Sequence, residues 1–213
     1  IAIISKIENR EGVNNIDEIL AVSDGVMIAR GDLGVEIPIR EIPAIQKLII
    51  KKATFTGKIV ITATQMLESM VRNPRPTRAE VTDVANAIYD GTGAIMLSGE
   101  TAAGKYPIEA VRTMSDIAEY TEKDINYDNR FREQKLPDTA NVTNAISHAS
   151  GLTAIDIDAD AIITVTQAGY TARMLSKYRP PCSIIGFTPT IKTYYQLGLV
   201  WGVTPMPLEF IND

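Results

Sequence analysis

Four short polar clusters, each at the end of an apolar β-prone run, are where this sequence could do chemistry. Ser5-Lys6-Ile7-Glu8 ends the first run, Arg30-Gly31-Asp32 the second, Thr62-Ala63-Thr64-Gln65 the third and Ser98-Gly99-Glu100 the fourth. Residues two apart on a strand share a face, so Lys6 and Glu8 point the same way. Glu8 and Asp32, with no histidine or cysteine near them, suit a hard cation such as Mg2+ or Mn2+ that takes its other oxygens from a substrate. A lysine beside that cation is a point charge for phosphate or for an enolate oxygen. Gly31 lets backbone N–H groups come close to an anion. A Lys-x-Glu pair taken alone reads equally as a surface ion pair. Four polar strand ends that converge instead predict a metal-and-anion site of Lys6, Glu8, Asp32 and Thr64, with Ser98 and Glu100 at its margin.

The elements that must position these groups alternate in type. Strands are expected over 1–7, 25–30, 59–64 and 94–98, and helices over 15–22, 42–55, 65–71 and 78–89, with another starting at Pro107. Asn73-Pro74-Arg75-Pro76-Thr77 must be a loop at its prolines. Such alternation indicates a parallel sheet or a β/α barrel, in which the C-terminal ends of the strands carry the site. Residues 127–139 turn polar and read as a linker. Beyond them, 140–213 form a second, smaller α/β part, doubly wound, with strands near 161–166, 183–187 and 200–205. Its helices are expected up to about Ile155, over 170–178 and after Pro189.

Composition narrows the function classes. Over 213 residues, 21 basic and 26 acidic side chains leave a net charge of −5, which argues against a nucleic-acid binder. The single cysteine, Cys182, excludes an internal disulfide framework and fits a cytoplasmic setting. No apolar run has membrane-spanning length, so no membrane partner is expected. The chain opens on Ile1 and runs straight into a strand.

Several motifs go further than physics alone. Ile3-Ile4-Ser5-Lys6-Ile7-Glu8-Asn9 with Glu11-Gly12-Val13 resembles the signature of pyruvate kinases. So do Ala29-Arg30-Gly31-Asp32-Leu33-Gly34, Thr64-Gln65-Met66-Leu67-Glu68-Ser69-Met70, Pro74-Arg75-Pro76-Thr77-Arg78-Ala79-Glu80 and Met96-Leu97-Ser98-Gly99-Glu100-Thr101, in family order. Tyr178-Arg179-Pro180 is similar to the family's C-terminal domain. The resemblance implies the second half of a TIM (β/α)8 barrel over 1–126, then a partial three-layer α/β C-terminal domain of the effector and oligomer-interface type. It implies phosphoryl transfer from phosphoenolpyruvate to ADP, giving pyruvate and ATP in glycolysis. Lys6 would stabilise the enolate, and Glu8 and Asp32 would hold Mg2+ (or Mn2+). Backbone groups of Gly31 and Asp32, with Thr64, would bind the substrate carboxylate. Thr64 lies where the enolate is protonated, and Ser98 would join that relay. The parent enzyme would also need K+, with ligands outside this chain, and would form a homotetramer.

Other readings compete. Gly99-Glu100-Thr101-Ala102-Ala103-Gly104-Lys105 has P-loop spacing, but Tyr106 stands where a small hydroxyl should meet Mg2+. The loop Thr166-Gln167-Ala168-Gly169-Tyr170-Thr171 would place Thr166, Gly169 and Thr171 near a helix N-terminus for a phosphorylated effector, or form an ordinary turn. Asp156, Asp158 and Asp160 read as a solvated loop, His148 and Trp201 as packing, and Cys182 as a semi-buried small residue. Four strand–helix units are half of what a (β/α)8 barrel needs, and such a barrel takes roughly 250 residues. The isolated chain is therefore expected to be an inactive fragment of a larger enzyme. A non-catalytic binding or assembly module, or another phosphoenolpyruvate-type barrel enzyme, remain the alternatives.

Overall fold

The computed structural model describes residues 1–134 and 141–209, and the chain divides into two compact units, 1–125 and 126–213. The first unit begins with β1 (Ile4–Ile7), then α1 (Arg10–Asn14), whose N-cap Asn9 accepts from the Gly12 N–H at 2.8 Å. The next pair is α2 (Ile16–Val22) and β2 (Gly25–Ala29). It continues with α3 (Arg30–Glu36), α4 (Ile42–Phe55) and β3 (Ile59–Ala63). A 3-10 turn at Glu68–Val71 leads to α5 (Arg78–Asp90), which carries a full capping box between Thr77 and Glu80. Last come β4 (Ala94–Met96), α6 (Gly99–Ala102) and α7 (Pro107–Asp124).

These strands form one parallel sheet in the order β1-β2-β3-β4, the sequential order of a barrel segment. Alternation sorts their side chains. Ile7, Val26, Ile28 and Val60 point into a core with Leu20, Ile49, Ile50 and Ala53. A second cluster joins Met66, Leu67 and Met70 to Val84, Ala87, Ala110 and Met114. The opposite face carries the register row Lys6, Met27, Ile61 and Ala94.

Several elements differ from expectation for identifiable reasons. The second strand stops at Ala29 and Arg30–Glu36 turns helical, despite two glycines, which moves Asp32 from a strand end into a helix's first turn. An acid is favourable there. The helix expected over 65–71 shrinks to its last turn. Its backbone N–H groups are taken by neighbouring carboxylates instead, Leu67 by Glu100 at 3.0 Å and Ser69 by Glu80 at 2.6 Å. The fourth strand covers Ala94–Met96 only, so Ser98 stands just before α6 rather than ending a strand.

The second unit holds α8 (Tyr127–Arg132), α9 (Val142–Asp156), β5 (Ala161–Val165), α10 (Tyr170–Lys177), β6 (Ser183–Thr188), α11 (Ile191–Leu197) and β7 (Val203–Pro207). The linker expected over 127–139 is thus helical in its first part. Asn126 caps that helix by accepting from the Asn129 N–H, and Phe131 is buried against His148 and Tyr178. Residues 135–140, the rest of that linker, lie outside the described residues. The sheet is parallel in the order β5-β6-β7. Right-handed crossovers in that sequential order put α10 and α11 on one face. On the other face Ile163 and Val165 are 67% and 64% exposed, so the described residues supply two of the three expected layers rather than a doubly wound sheet.

Candidate active site

The site is assembled at the C-terminal ends of the first three strands. Lys6, at the end of β1, reaches over the sheet edge with its Nζ 2.5 Å from Glu8 Oε2 and 2.8 Å from Asp32 Oδ2. All three side chains are about half exposed, so the triad faces solvent rather than a dry core. The hydrogen bond to Asp32, then the one to Glu8, holds the Lys6 ammonium well above the usual lysine range. Glu8 and Asp32 present oxygens within 2.8 Å of one nitrogen, close enough to share a single cation in its place. No cluster of three or more metal-type side chains occurs among the described residues. Two carboxylates at this spacing are the donor set of a hard divalent ion that draws most of its ligands from substrate or water.

Thr64 closes the other side. Its Oγ1 accepts from the Gly31 N–H at 2.8 Å and donates to the Ala63 carbonyl at 2.7 Å. Gly31 allows this close approach, since a Cβ there would crowd that oxygen at 3.3 Å. Thr64 and Gln65 both adopt left-handed backbone, with φ of 68° and 53°. For a β-branched residue this is a true outlier, of the kind that persists only where surrounding structure imposes it. The fold thus brings together Lys6, Glu8, Gly31, Asp32 and Thr64. Ser98 is exposed at the head of α6, and among the described residues no hydrogen bond ties its hydroxyl to Lys6, Asp32 or Thr64. Glu100 is fully buried and accepts from the N–H groups of Leu67 and Ser98, so it braces two loops rather than facing a ligand.

Matches to known proteins give the family. The family model of the pyruvate kinase barrel domain matches residues 1–111, and that of the pyruvate kinase alpha/beta domain matches 144–213. The chain belongs to the pyruvate kinase family. The pyruvate kinase of Clostridium acetobutylicum is 59% identical over 206 residues, covering 97% of this chain and 44% of that protein. That of Geobacillus stearothermophilus is 55% identical over 212 residues, which make up 36% of its length. The crystal structure of a pyruvate kinase from Cryptosporidium parvum superposes with a TM-score of 0.95 at 48% identity, over 98% of this chain and 42% of that one. The chain thus spans less than half the length of these relatives. Within the family's barrel domain, the four-stranded sheet and the Lys6 cluster both fall inside the matched segment.

Sequence reasoning missed a buried arginine beside the site. Arg30, only 8% exposed, donates to the Thr64 carbonyl at 2.8 Å, the Gln65 carbonyl at 3.1 Å and Asp83 Oδ1 at 2.7 Å. The signal was present: an arginine directly after a buried strand must find acceptors inside the protein. The P-loop alternative also dissolves. Gly104 is explained by packing, because a Cβ there would meet the Glu100 carbonyl at 2.3 Å, and the Lys105 N–H is spent on the Val71 carbonyl. In the second unit Gly169, with φ of 77°, caps α10, Thr171 is exposed, and Thr166 is buried. Asp156 pairs with Arg132 rather than forming a metal site with Asp158 and Asp160. Burial pushes the half-buried Cys182 thiol up, away from the thiolate a nucleophile needs.

Proposed function

We propose that the protein carrying this chain transfers the phosphoryl group of phosphoenolpyruvate to ADP, giving pyruvate and ATP. The observation that carries this reading is the Lys6 ammonium held between Glu8 and Asp32, beside the Gly31–Thr64 hydrogen bond. In that reaction the bond between phosphorus and the enol oxygen breaks, and a bond to the terminal phosphate oxygen of ADP forms. The electron pair left on the enol oxygen makes an enolate, and Lys6 is the charge that stabilises it. A lysine ammonium is cationic throughout the neutral range by its ordinary pKa. Glu8 and Asp32 would hold Mg2+ (or Mn2+) in exchange for their contact with Lys6, which turns the ammonium toward substrate. When bound, the ion supplies positive charge against the phosphoryl and carboxylate oxygens.

The substrate carboxylate would be held by the Gly31 and Asp32 N–H groups together with Thr64 Oγ1. The Thr64 hydroxyl also lies where a proton would pass to the methylene carbon, directly or through one water, and Ser98 would join that relay through water. K+ would be bound by groups outside this chain. The α10 end of the second unit, with Gly169, Thr171 and the neighbouring Thr166, is the place for a phosphorylated effector. A cytoplasmic homotetramer completes the reading; among the described residues no helix is long and apolar enough to cross a membrane.

The test is phosphoenolpyruvate-dependent ATP formation by the full-length protein. Lys6→Ala is expected to lower turnover by at least about 100-fold, the scale for loss of one oxyanion-stabilising group. Lys105→Ala is expected to leave the affinity for ADP unchanged. Retained turnover in the first, or lost ADP affinity in the second, would overturn the assignment.

A further inference from the structure

We propose that Arg30 is a positioning residue for the Thr64 hydroxyl: it pins the left-handed Thr64–Gln65 turn to α5 through Asp83. The kinetic part of the test rests on the reaction proposed above; the structural part does not.

The starting point is an imbalance in how the turn is held. Two successive side-chain-bearing residues sit at φ of 68° and 53°, where glycine would be at ease and threonine is not. Something outside the turn must impose that backbone. Arg30 is the group placed to do so. Its Nη2 donates to both carbonyls, Thr64 at 2.8 Å and Gln65 at 3.1 Å, and its Nε adds a longer bond to Thr64 at 3.3 Å. On the far side Nη1 donates to Asp83 Oδ1 at 2.7 Å and to Gln46 Oε1 at 3.4 Å. A planar fork of donors can bridge consecutive carbonyls in this way, whereas an ammonium cannot hold two carbonyls and a carboxylate in one plane.

Pairing with Asp83 would satisfy a cation whose task was only to fasten β2 to α5. The bonds to the turn carbonyls exceed that need, and they act on the residue that matters. Fixing the Thr64 carbonyl fixes its peptide plane, and with it the Cα–Cβ bond that carries Oγ1. That oxygen then stays 2.8 Å from the Gly31 N–H. Gly31 follows Arg30 directly in the chain, so one short segment holds both ends of the Gly31–Thr64 bond. A groove of about 600 Å3, lined in part by Arg30, Gln46, Gln65 and Asp83, opens on the outer side of the clamp. Shorter side chains there can be solvated without collapse of the core.

The first experiment measures amide hydrogen exchange on the chain by NMR, with no substrate present. In Arg30→Lys and Asp83→Asn the Gly31 amide is expected to exchange at least about tenfold faster, while the Ile28 amide in the β2–β3 ladder keeps its protection. Gln65→Gly, which supplies left-handed backbone without a clamp, is expected to restore part of the Gly31 protection in the Arg30→Lys background. Asp83 is 38% exposed, so its variant reports on the clamp even if Arg30→Lys does not fold. The second experiment is a double-mutant cycle on kcat in the full-length protein. If Arg30 acts through Thr64, Arg30→Lys costs about tenfold alone and almost nothing further in a Thr64→Ala background. Unchanged Gly31 exchange in both clamp variants, or kcat losses that multiply independently, would overturn the proposal. Protected exchange that responds as expected in a protein without turnover would instead discard the reaction and leave the clamp standing.

Discussion

Each unit leaves a parallel strand through left-handed backbone, but with different residues. After β3 the chain turns at Thr64 and Gln65, at φ of 68° and 53°; after β5 it turns at Gly169, at φ of 77°. The glycine turn needs little help. Its neighbouring carbonyls accept from Arg173 and Thr193, and any Cβ would meet Arg173 Nη1 at 2.8 Å. The Thr64 turn is held by a buried guanidinium, and the loop that follows it by the buried Glu100 and the half-buried Glu80. Strained backbone is kept where a hydroxyl must be aimed, and glycine is used where the chain only has to change direction. The open sheet faces differ in the same sense. The first carries Lys6 in its register row, whereas the second exposes Ile163, Val165 and Met206.

The contrast can be broken at its strongest point first. Thr64→Ala should lower kcat of the full-length protein by about 100-fold, the usual scale for loss of a proton-transfer group. Thr190→Ala, which removes the hydroxyl residue following β6, should leave kcat within about twofold. Equal effects would mean that the first turn holds no special group.

Metal affinity separates the units next. Glu8→Gln and Asp32→Asn should each weaken Mn2+ binding on the order of tenfold, because a two-carboxylate site loses half its charged ligands. Asp158→Asn in the second unit should not change it. Titration calorimetry distinguishes these outcomes.

Stability offers a smaller but sharper contrast. Gly169→Ala should destabilise the second unit by about 1–2 kcal/mol, the cost of left-handed backbone for a side-chain-bearing residue. Trp201, the one tryptophan of the chain, reports that unit's urea transition by fluorescence. Gln65→Gly should not destabilise the first unit, since it relieves the same cost. A destabilising Gln65→Gly would show that the turn is not strained.

The smallest effect is in acid. Burial alone would raise the Glu80 pKa, but the hydrogen bonds from Ser69, then those from Thr77, outweigh it and hold the carboxyl below the usual glutamate range. The stabilisation is therefore present above the unfolded-state pKa and lost as pH falls through the lowered folded value. The first unit should loosen between these pH values, and Glu80→Gln should flatten that limb of a stability–pH curve. An unchanged limb would assign acid sensitivity to other carboxylates.

Much of this was legible in the sequence, for local reasons. The strands Gly25–Ala29 and Ile59–Ala63 are short, β-branched and apolar, α5 announces itself by Thr77-Arg78-Ala79-Glu80, and α4 and α7 carry their proline signals at the first turn. Lys6, Glu8, Asp32 and Thr64 were recognisable because polar groups at the ends of parallel strands converge. The helices Arg30–Glu36 and Tyr127–Arg132 were not, since the first contains two glycines and the second lies in a polar run. Each is stabilised by packing that local propensity does not contain: Leu33 and Phe131 are almost fully buried.

The type of most strands and long helices, the strand-end polar residues and the family were thus determined by sequence alone, because periodicity, turn chemistry and long motifs are properties of neighbouring residues. The tertiary structure decided which polar groups meet at the open strand ends and which are spent on holding backbone in place. Asp32 and Glu100 are both acids after a strand, yet one is half exposed on Lys6 and the other is sealed between two backbone N–H groups. Arg30 reads in the chain as one residue of a motif, and becomes a clamp only when Asp83, more than fifty positions away, meets it. Burial and the choice of partner depend on distance in space, which spacing along the chain does not encode.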